Sequence, residues 1–211
     1  MLSGSKVLSR QELNRLLLGE HELAGYDIGY IGDRNTPAPV VAPSSLPRVT
    51  PADCRSVYEG TEGLSAYPYS ATVAESAEPT GPQDHQRVTF TLLSYTPATA
   101  PKVFTDLRAA LPACASSTIH PSAGGTSDSP DFAHPRNVSS PHLGDDAISF
   151  RLTEVLPKSE FSASISLDMR VLLVREGSTV VVFTAESDSD PGKPATMPNA
   201  VVTAQLAKFR H

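Results

Sequence analysis

The segment FSASISLDMRVLLVREGSTVVVFTA, residues 161–185, decides the fold class. Its first half carries apolar side chains at seven consecutive odd positions: Phe161, Ala163, Ile165, Leu167, Met169, Val171 and Leu173. Because successive side chains of a β-strand point to opposite faces, this period of two predicts a long strand with one apolar face. The sequence REGS, residues 175–178, then predicts a tight turn into TVVVFTA, and the two strands form a hairpin.

Further strands and amphipathic helices are predicted on both sides of this hairpin. Strands are expected within 66–76, 85–95 and 148–153, and helices at 9–19, 50–60, 99–113 and 198–209. Strands joined by hairpins form an antiparallel sheet, whose apolar face needs helices to cover it. We therefore expect the α+β class, with an antiparallel sheet of about five or six strands and amphipathic helices packed on it.

Proline-rich and glycine-rich stretches divide the chain. Residues 1–8 are expected to be a disordered lead-in or an expression remnant, and residues 9–47 an N-terminal helix followed by a proline-rich connector. Residues 48–211 are expected to form one sensor-like α+β domain with a long loop at 121–146. That loop exceeds the roughly 12–15 residues of an ordinary unstructured connection, so it is either mobile or functional, and its composition favours mobility.

The chain has two cysteines, Cys54 and Cys114, which stand 60 positions apart. Each lies at or beside a predicted helix, and neither belongs to a CxxC motif or a histidine-rich context. A structural disulfide is the simpler interpretation, with two unrelated buried thiols as the alternative. A disulfide would place the chain in an oxidising compartment, and we expect an exported protein.

Composition and charge exclude several classes of function. The chain has 17 basic and 23 acidic residues, a net charge of −6, and no basic stripe dense enough to neutralise a row of phosphates. We therefore expect no nucleic-acid partner. No stretch approaches the roughly 20 apolar residues that span a bilayer. With no tryptophan, the core is expected to be aliphatic.

No group of residues predicts an active site, a metal site or a cofactor. Histidines in or beside predicted loops are interpreted as solvated: His85, His120, His134 and His142. Asp145 and Asp146 resemble an acid–base pair, but adjacent carboxylates on a turn point apart. Glu186, Asp188 and Asp190 alternate like a calcium loop, yet the distal glutamate of an EF-hand is missing. We expect a non-enzymatic protein without cofactor.

Polar side chains alternate with the core residues of the long strand. Ser164, Ser166, Asp168 and Arg170 share one side of it, and Arg151 with Thr153 occupies the equivalent side of the preceding strand. One interpretation is an ordinary solvated sheet face. The functional interpretation is the wall of a polar cleft, in which Arg151 and Arg170 hold an anionic group. The candidate ligand-binding residues are Arg151, Asp168, Arg170 and Ser166.

Five segments together resemble a known family. They are LSRQELNRLLLGEHELAGYDI (8–28), DCRSVYEG (53–60), PATAPKVFTDLRAALPAC (97–114), HLGDDAISFRL (142–152) and VLLVREGSTVVVFTA (171–185). Their order resembles the extracellular sensor domain of mycobacterial serine/threonine protein kinase H and the related actinobacterial surface lipoproteins. The resemblance spans about residues 9–210. This chain lacks the second cysteine pair of the kinase-linked members and carries no kinase or transmembrane segment, so the free-standing lipoproteins are the closer analogues.

The resemblance implies a non-enzymatic, extracytoplasmic ligand-binding or sensor-type lipoprotein domain. It implies a cleft between sheet and helices that accepts an unknown small-molecule or lipidic ligand. It also implies location at the extracellular face of the cell membrane, with membrane contact only through a lipidated cysteine upstream of Met1. The alternative is a structural or partner-binding cell-envelope protein without a small-molecule ligand. A hydrolase is a third and weaker alternative.

Overall fold

A nine-stranded antiparallel sheet is the framework of the fold. The computed structural model describes residues 6–31, 46–81, 86–122, 129–158, 163–187 and 194–210. The strands are β1 (Tyr26–Tyr30), β2 (Arg48–Thr50), β3 (Ala71–Pro79), β4 (Val88–Ser94), β5 (Thr118–Ser122), β6 (Asp131–Val138), β7 (Asp146–Leu156), β8 (Ile165–Glu176) and β9 (Thr179–Glu186). Their order across the sheet is β1-β3-β4-β9-β8-β7-β6-β5-β2.

The predicted hairpin occupies the centre of the sheet. β8 and β9 pair from Met169 opposite Glu186 to Glu176 opposite Thr179. The turn between them contains Gly177 at a φ of 64°, which a residue without a Cβ adopts at little cost. β8 begins at Ile165, so the regular strand is shorter at its start than the alternation predicted.

In the described ranges, four α-helices accompany the sheet. They are α1 (Arg10–Leu16), α2 (Arg55–Glu62), α3 (Ala100–Cys114) and α4 (Asn199–Ala207), with short 3-10 turns at Ala52–Cys54 and Lys208–Arg210. α1 begins at the predicted capping box, in which the Glu12 amide donates to Ser9 Oγ and the Ser9 amide donates to Glu12 Oε2. Within the described ranges, no helix is both long enough and apolar enough to cross a membrane.

Helices cover both faces of the sheet, whereas the sequence predicted a single apolar face. On the first face, α2 and α3 pack against one core, whose helical members include Val57, Phe104, Leu107 and Leu111. On the second face, α1 and α4 pack against another, with Leu13, Val201, Val202 and Leu206. β8 serves both cores, because Val171 and Leu173 belong to the first and Leu172 and Val174 to the second.

The prediction of five or six strands was wrong, because β1, β2, β5 and β6 were not recognised. These strands have three to eight residues, and their sequences lack a clean alternation. Pro121 interrupts β5 and Pro135 interrupts β6. β6 also changes register between Ala133 and Arg136, so its side chains do not keep a period of two.

The same strands correct the predicted boundaries. The segment 121–146 was expected to be one long loop, but β6 forms within it; residues 123–128 lie outside the described residues. The connector predicted within 9–47 contains β1, which pairs with β3 in the main sheet. Residues 6–8 are ordered, since Leu8 is buried and its amide donates to Ser94 Oγ at 2.7 Å. Residues 1–5 lie outside the described residues.

The predicted disulfide is present on the first face. Cys54 and Cys114 are bonded, with their Cα atoms 5.7 Å apart. Cys54 ends the 3-10 turn that precedes α2, and Cys114 is the last residue of α3. Both cysteines are buried in the first core. The bond therefore ties together the two helices that cover this face.

Candidate functional site

A cleft of about 490 Å³ lies on the second face of the sheet. Its floor is formed by Ser149 and Arg151 of β7 and by Arg170 and Leu172 of β8. Its walls come from residues 139–143, residues 194–197 and the first two turns of α4. A cleft of this size falls within the roughly 300–1,000 Å³ of small-molecule sites.

Two arginines on the floor give the cleft its charge. Arg151 and Arg170 stand directly opposite each other in the β7–β8 register. They are the only charged residues among the described residues that line the cleft. Like charges opposite each other on neighbouring strands destabilise a sheet. Because both charged lining residues are arginines, the cleft is positively charged, although the chain as a whole has a net charge of −6.

Arg151 is held by an ion pair and by the cleft wall. Its Nη2 donates to Asp168 Oδ2 at 2.6 Å and to the Ala195 carbonyl at 2.9 Å. The Ala195 amide in turn donates to the same Asp168 oxygen at 2.8 Å. Both side chains of the pair are mostly buried, so solvent screens the attraction only weakly. This triad fastens residues 194–197 to the sheet and fixes the direction of Arg151.

Arg170 is oriented by a hydroxyl group and makes no ion pair among the described residues. Its Nε donates to Ser149 Oγ at 3.0 Å, and that hydroxyl donates to the Val171 carbonyl at 3.0 Å. Burial lowers the pKa of Arg170, the charge of Arg151 lowers it further, and Asp168 acts in the opposite direction. The guanidinium remains charged, and its Nη groups are left for another partner.

Gln86 provides a second anchor for the wall at residues 194–197. The Thr196 amide donates to Gln86 Oε1 at 3.1 Å, and the Gln86 amide group donates to the Thr196 carbonyl. α4 follows after Pro198, its N-cap, and no side chain caps this end of the helix. Asn199, the first residue of α4, lines the cleft. The N-terminal end of α4 is thereby held at the cleft.

The four predicted ligand-binding residues differ in their positions relative to the cleft. It brings Arg151, Asp168 and Arg170 together, but only the two arginines line the cleft. Asp168 uses a carboxylate oxygen to hold Arg151 and the wall, and Ser166 is exposed outside the cleft. Sequence reasoning missed Ser149, which shares a strand face with Arg151 two positions later, and this spacing was a signal that could have identified it.

The other residues considered for chemistry have separate partners or are not described. Asp145 accepts from the Gly177 amide at 2.7 Å, whereas Asp146 pairs with Arg108, so these two carboxylates point apart as predicted. Within the described part of the chain, no group of histidine, cysteine and carboxylate side chains is arranged to hold a metal ion. His85, Asp188 and Asp190 lie outside the described residues.

Three glutamates meet on the first face, opposite the cleft. Burial raises the pKa of Glu154 to about 7, with further contributions from the charges of Glu186 and Glu62. Burial also raises the pKa of Glu62, and Glu186 adds to that shift. Glu154 follows Leu152 by two positions on β7 and therefore shares its face. The ionised forms of these neighbouring carboxyl groups therefore disfavour one another.

Comparisons with known proteins identify the fold. No protein-family model matches the chain, and no curated protein sequence matches it significantly. The crystal structure of the extracellular domain of PknH from Mycobacterium tuberculosis is similar, with a TM-score of 0.52 and 16% identity over 97% of this chain and 96% of that chain. An uncharacterized Mycobacterium smegmatis protein gives a TM-score of 0.41 and 15% identity over 99% of this chain and 98% of its own. The chain shares the fold of the PknH extracellular domain, and the resemblance expected from the sequence is confirmed at the level of fold.

Proposed function

We propose that the chain is a non-enzymatic extracytoplasmic domain that binds a small-molecule or lipidic ligand in the cleft on the second face. The observation that carries this proposal is the cleft itself, whose charged lining, among the described residues, consists of Arg151 and Arg170. Ligand sites in proteins are typically largely apolar clefts in which a few convergent polar groups fix the ligand. This cleft combines apolar side chains, among them Leu143 and Met197, with polar side chains and the two arginines.

The fold and the disulfide support an extracytoplasmic location. The PknH domain whose fold this chain shares is extracellular. The Cys54–Cys114 disulfide belongs to the class of bonds that persist in oxidising compartments. We propose further that a lipid anchor holds the domain at the extracellular face of the membrane. Partition of the host-expressed protein into a detergent phase is the expected result, and recovery entirely in the aqueous phase would contradict the anchor.

The contacts of the acidic residues favour binding over catalysis. Asp145 is committed to the turn between β8 and β9, and Asp146 to an ion pair with Arg108. Asp168 is committed to Arg151 and the wall. None of these carboxylates is placed to exchange a proton with a molecule in the cleft.

Native mass spectrometry tests the proposal directly. The purified protein is incubated with a metabolite and lipid extract of its host and sprayed beside two variants. Arg170→Ala alters the cleft floor, whereas Arg48→Ala removes an exposed arginine of β2 and serves as a matched control. We expect a bound species on the native protein and on the control, and less of it on Arg170→Ala. Absence of any bound species, together with co-purification of an envelope protein, would favour the partner-binding alternative.

A further inference from the structure

We propose that the cleft binds an amphiphilic anion, a molecule with one carboxylate or phosphate group attached to an alkyl chain. This inference rests on the proposed function and adds the chemical class of the ligand. The residues that carry it are Arg170, which would hold the anionic group, and the apolar side chains of the cleft walls, which would cover the chain. Arg151 is a positioning residue in this scheme.

The charges on the cleft floor do not balance. Among the described residues, two guanidinium groups, Arg151 and Arg170, face one carboxylate, Asp168, which leaves one positive charge in excess. Asp168 is bonded to Arg151, so the excess charge resides on Arg170. An anion in the cleft would offset the free-energy cost of burying this guanidinium and the repulsion between it and Arg151.

The geometry of Arg170 suits a ligand oxygen. The hydrogen bond from its Nε to Ser149 fixes the plane of the guanidinium. Its two Nη groups donate no hydrogen bond to a described residue and are not fully buried. A carboxylate and a phosphate both present two oxygens at the spacing that a guanidinium fork accepts.

Apolar side chains line part of the cleft, on its floor and on its walls, beside polar ones such as Thr196 and Asn199. Leu143, Leu172, Met197 and Val202 all line it. A small inorganic anion would leave these side chains in contact with water. An alkyl chain would bury them, and each buried CH₂ group increases affinity by about fourfold. The side chain of Met197 adapts readily to irregular apolar ligands.

The start of α4 adds a second favourable feature for an anion. α4 has nine residues, no side chain caps its N-terminus, and Asn199 of its first turn lines the cleft. The positive end of the helix dipole and the amide groups of the first turn stabilise negative charge nearby. This feature supports the arginine site and does not replace it.

Isothermal titration calorimetry with short amphiphiles tests the ligand class. Octanoate and octyl phosphate carry both features, acetate and inorganic phosphate carry only the charge, 1-octanol carries only the chain, and octyltrimethylammonium inverts the charge. We expect octanoate or octyl phosphate to bind at least about tenfold more tightly than every one of the single-feature probes. The ratio between octanoate and octyl phosphate shows which anionic group the cleft prefers.

Variants locate the interaction at Arg170. Arg170→Ala is expected to weaken binding of the better amphiphile by about 10- to 100-fold without lowering the melting temperature, because it removes a half-buried charge next to Arg151. Arg170→Lys keeps the charge but loses the fork, so it should recover part of the affinity. Arg48→Ala is the control and should bind as the native protein does. Melting curves of all three establish that they are folded.

Two results would overturn the inference. Binding of 1-octanol or octyltrimethylammonium as tight as that of the anions would show that charge is not recognised. Unchanged affinity in a folded Arg170→Ala protein would show that this residue does not hold the anion. If native mass spectrometry finds a neutral or cationic ligand in the cleft, the proposed function stands and only the ligand class is wrong. If no probe and no extract component binds, both fail.

Discussion

The two faces of the sheet use the same strands for different purposes. On the first face, α2 and α3 cover a hydrophobic core, and the disulfide within that core links the two helices. On the second face, α1 and α4 cover only part of the sheet among the described residues, and the cleft lies beside α4. Along β8, Met169 and Val171 lie in the closed core, while Asp168 and Arg170 face the other way. Closure stabilises the fold on one side, and incomplete closure creates the candidate site on the other.

This comparison assigns stability mainly to the first face and binding to the second. The apolar side chains of α3 are fully buried: Phe104, Leu107 and Leu111 are each at most 1% exposed. The charged side chains at the cleft, Arg151, Asp168 and Arg170, are partly solvated, and hydrogen bonds hold them in place. Substitutions on the first face should therefore change the free energy of unfolding, and substitutions in the cleft should mainly change affinity.

The largest expected effect comes from the disulfide. Replacing Cys54 and Cys114 by serine should lower the free energy of unfolding by about 2–4 kcal/mol, because the bond no longer restricts the unfolded chain. Urea denaturation of the variant and of the native protein measures the difference, and the native protein in excess reductant should match the variant.

Cleft binding provides the control for the disulfide variant. The cysteines lie on the face opposite the cleft, so the folded fraction of the variant should bind the amphiphile with native affinity. A large loss of affinity at a temperature where the variant is fully folded would contradict the separation of the two faces. A change in stability below about 0.5 kcal/mol would contradict the structural role of the bond.

Much of the central sheet follows from local sequence patterns. The alternation at 148–152 and 161–173 predicted β7 and β8 and placed Arg170 on the face away from Val171. A period of two fixes such directions strongly, because a slip of one residue would exchange the buried and exposed sides. The capping residues of α1 and the pattern of α3 likewise depend on neighbours a few positions apart.

The sequence of β9 already indicated that both faces of the sheet are apolar. In β9, Val180 and Val182 point to the first core while Val181 and Phe183 point to the second. A strand that is apolar at successive positions is typical of a sheet buried on both faces. The edge strands carried no comparable signal, because their pairing depends on partners distant in the chain.

The cleft could be anticipated only in part. The side occupied by Arg151 and Arg170 followed from alternation, but the wall did not. That wall is built from backbone groups of Ala195 and Thr196, which bind Asp168 and Gln86. Backbone contacts across such distances leave no pattern in a single sequence. The position of this wall explains why Ser166 does not line the cleft and why Asp168 binds the wall instead of a ligand.

Asp168→Asn has the next largest expected effect. It tests the hydrogen bonds among Arg151, Asp168 and Ala195, which we call the polar clamp. The substitution keeps the shape of the side chain but removes the charge that pairs with Arg151 and accepts from the Ala195 amide. We expect a loss of about 1.5–3 kcal/mol in the free energy of unfolding, the scale of hydrogen bonds to charged groups. Urea denaturation at low and high salt measures it.

The surface pair Arg87–Glu78 is the matched control for this clamp. Both side chains are about half exposed, so Glu78→Gln should change stability by less than about 1 kcal/mol. Asp168→Asn should also weaken amphiphile binding, since a loosened wall no longer closes the cleft. Equal, small effects of the two substitutions would show that the clamp is an ordinary surface pair.

Glu154→Gln tests the glutamates of the first face. The pKa of Glu154 is raised to about 7 from an ordinary value of 4.5, so its ionised form is disfavoured in the folded protein. The native protein should therefore lose stability as pH rises from about 4.5 through 7. One pKa unit corresponds to about 1.4 kcal/mol, and because the side chain is partly exposed we expect a total effect of about 1 kcal/mol after solvent screening.

The variant should differ from the native protein only at the higher pH. Glutamine is neutral throughout, so Glu154→Gln should be more stable at pH 8 and equally stable at pH 5. Melting temperatures across this range measure the difference, with Glu78→Gln as an exposed control. A variant less stable than the native protein at pH 8 would show that Glu154 makes a favourable contact as an anion.

Ser166→Ala has the smallest expected effect and marks the limit of the site along β8. Ser166 lies on the same side of the strand as Asp168 and Arg170, but it is exposed and does not line the cleft. Substitution of an exposed residue without structural partners changes stability by at most about 0.5 kcal/mol. Because the cleft wall meets the sheet at Asp168, affinity for the amphiphile should also be unchanged, and calorimetry on the variant measures it. A loss of affinity similar to that of Arg170→Ala would mean that the site extends past the wall to the exposed start of β8.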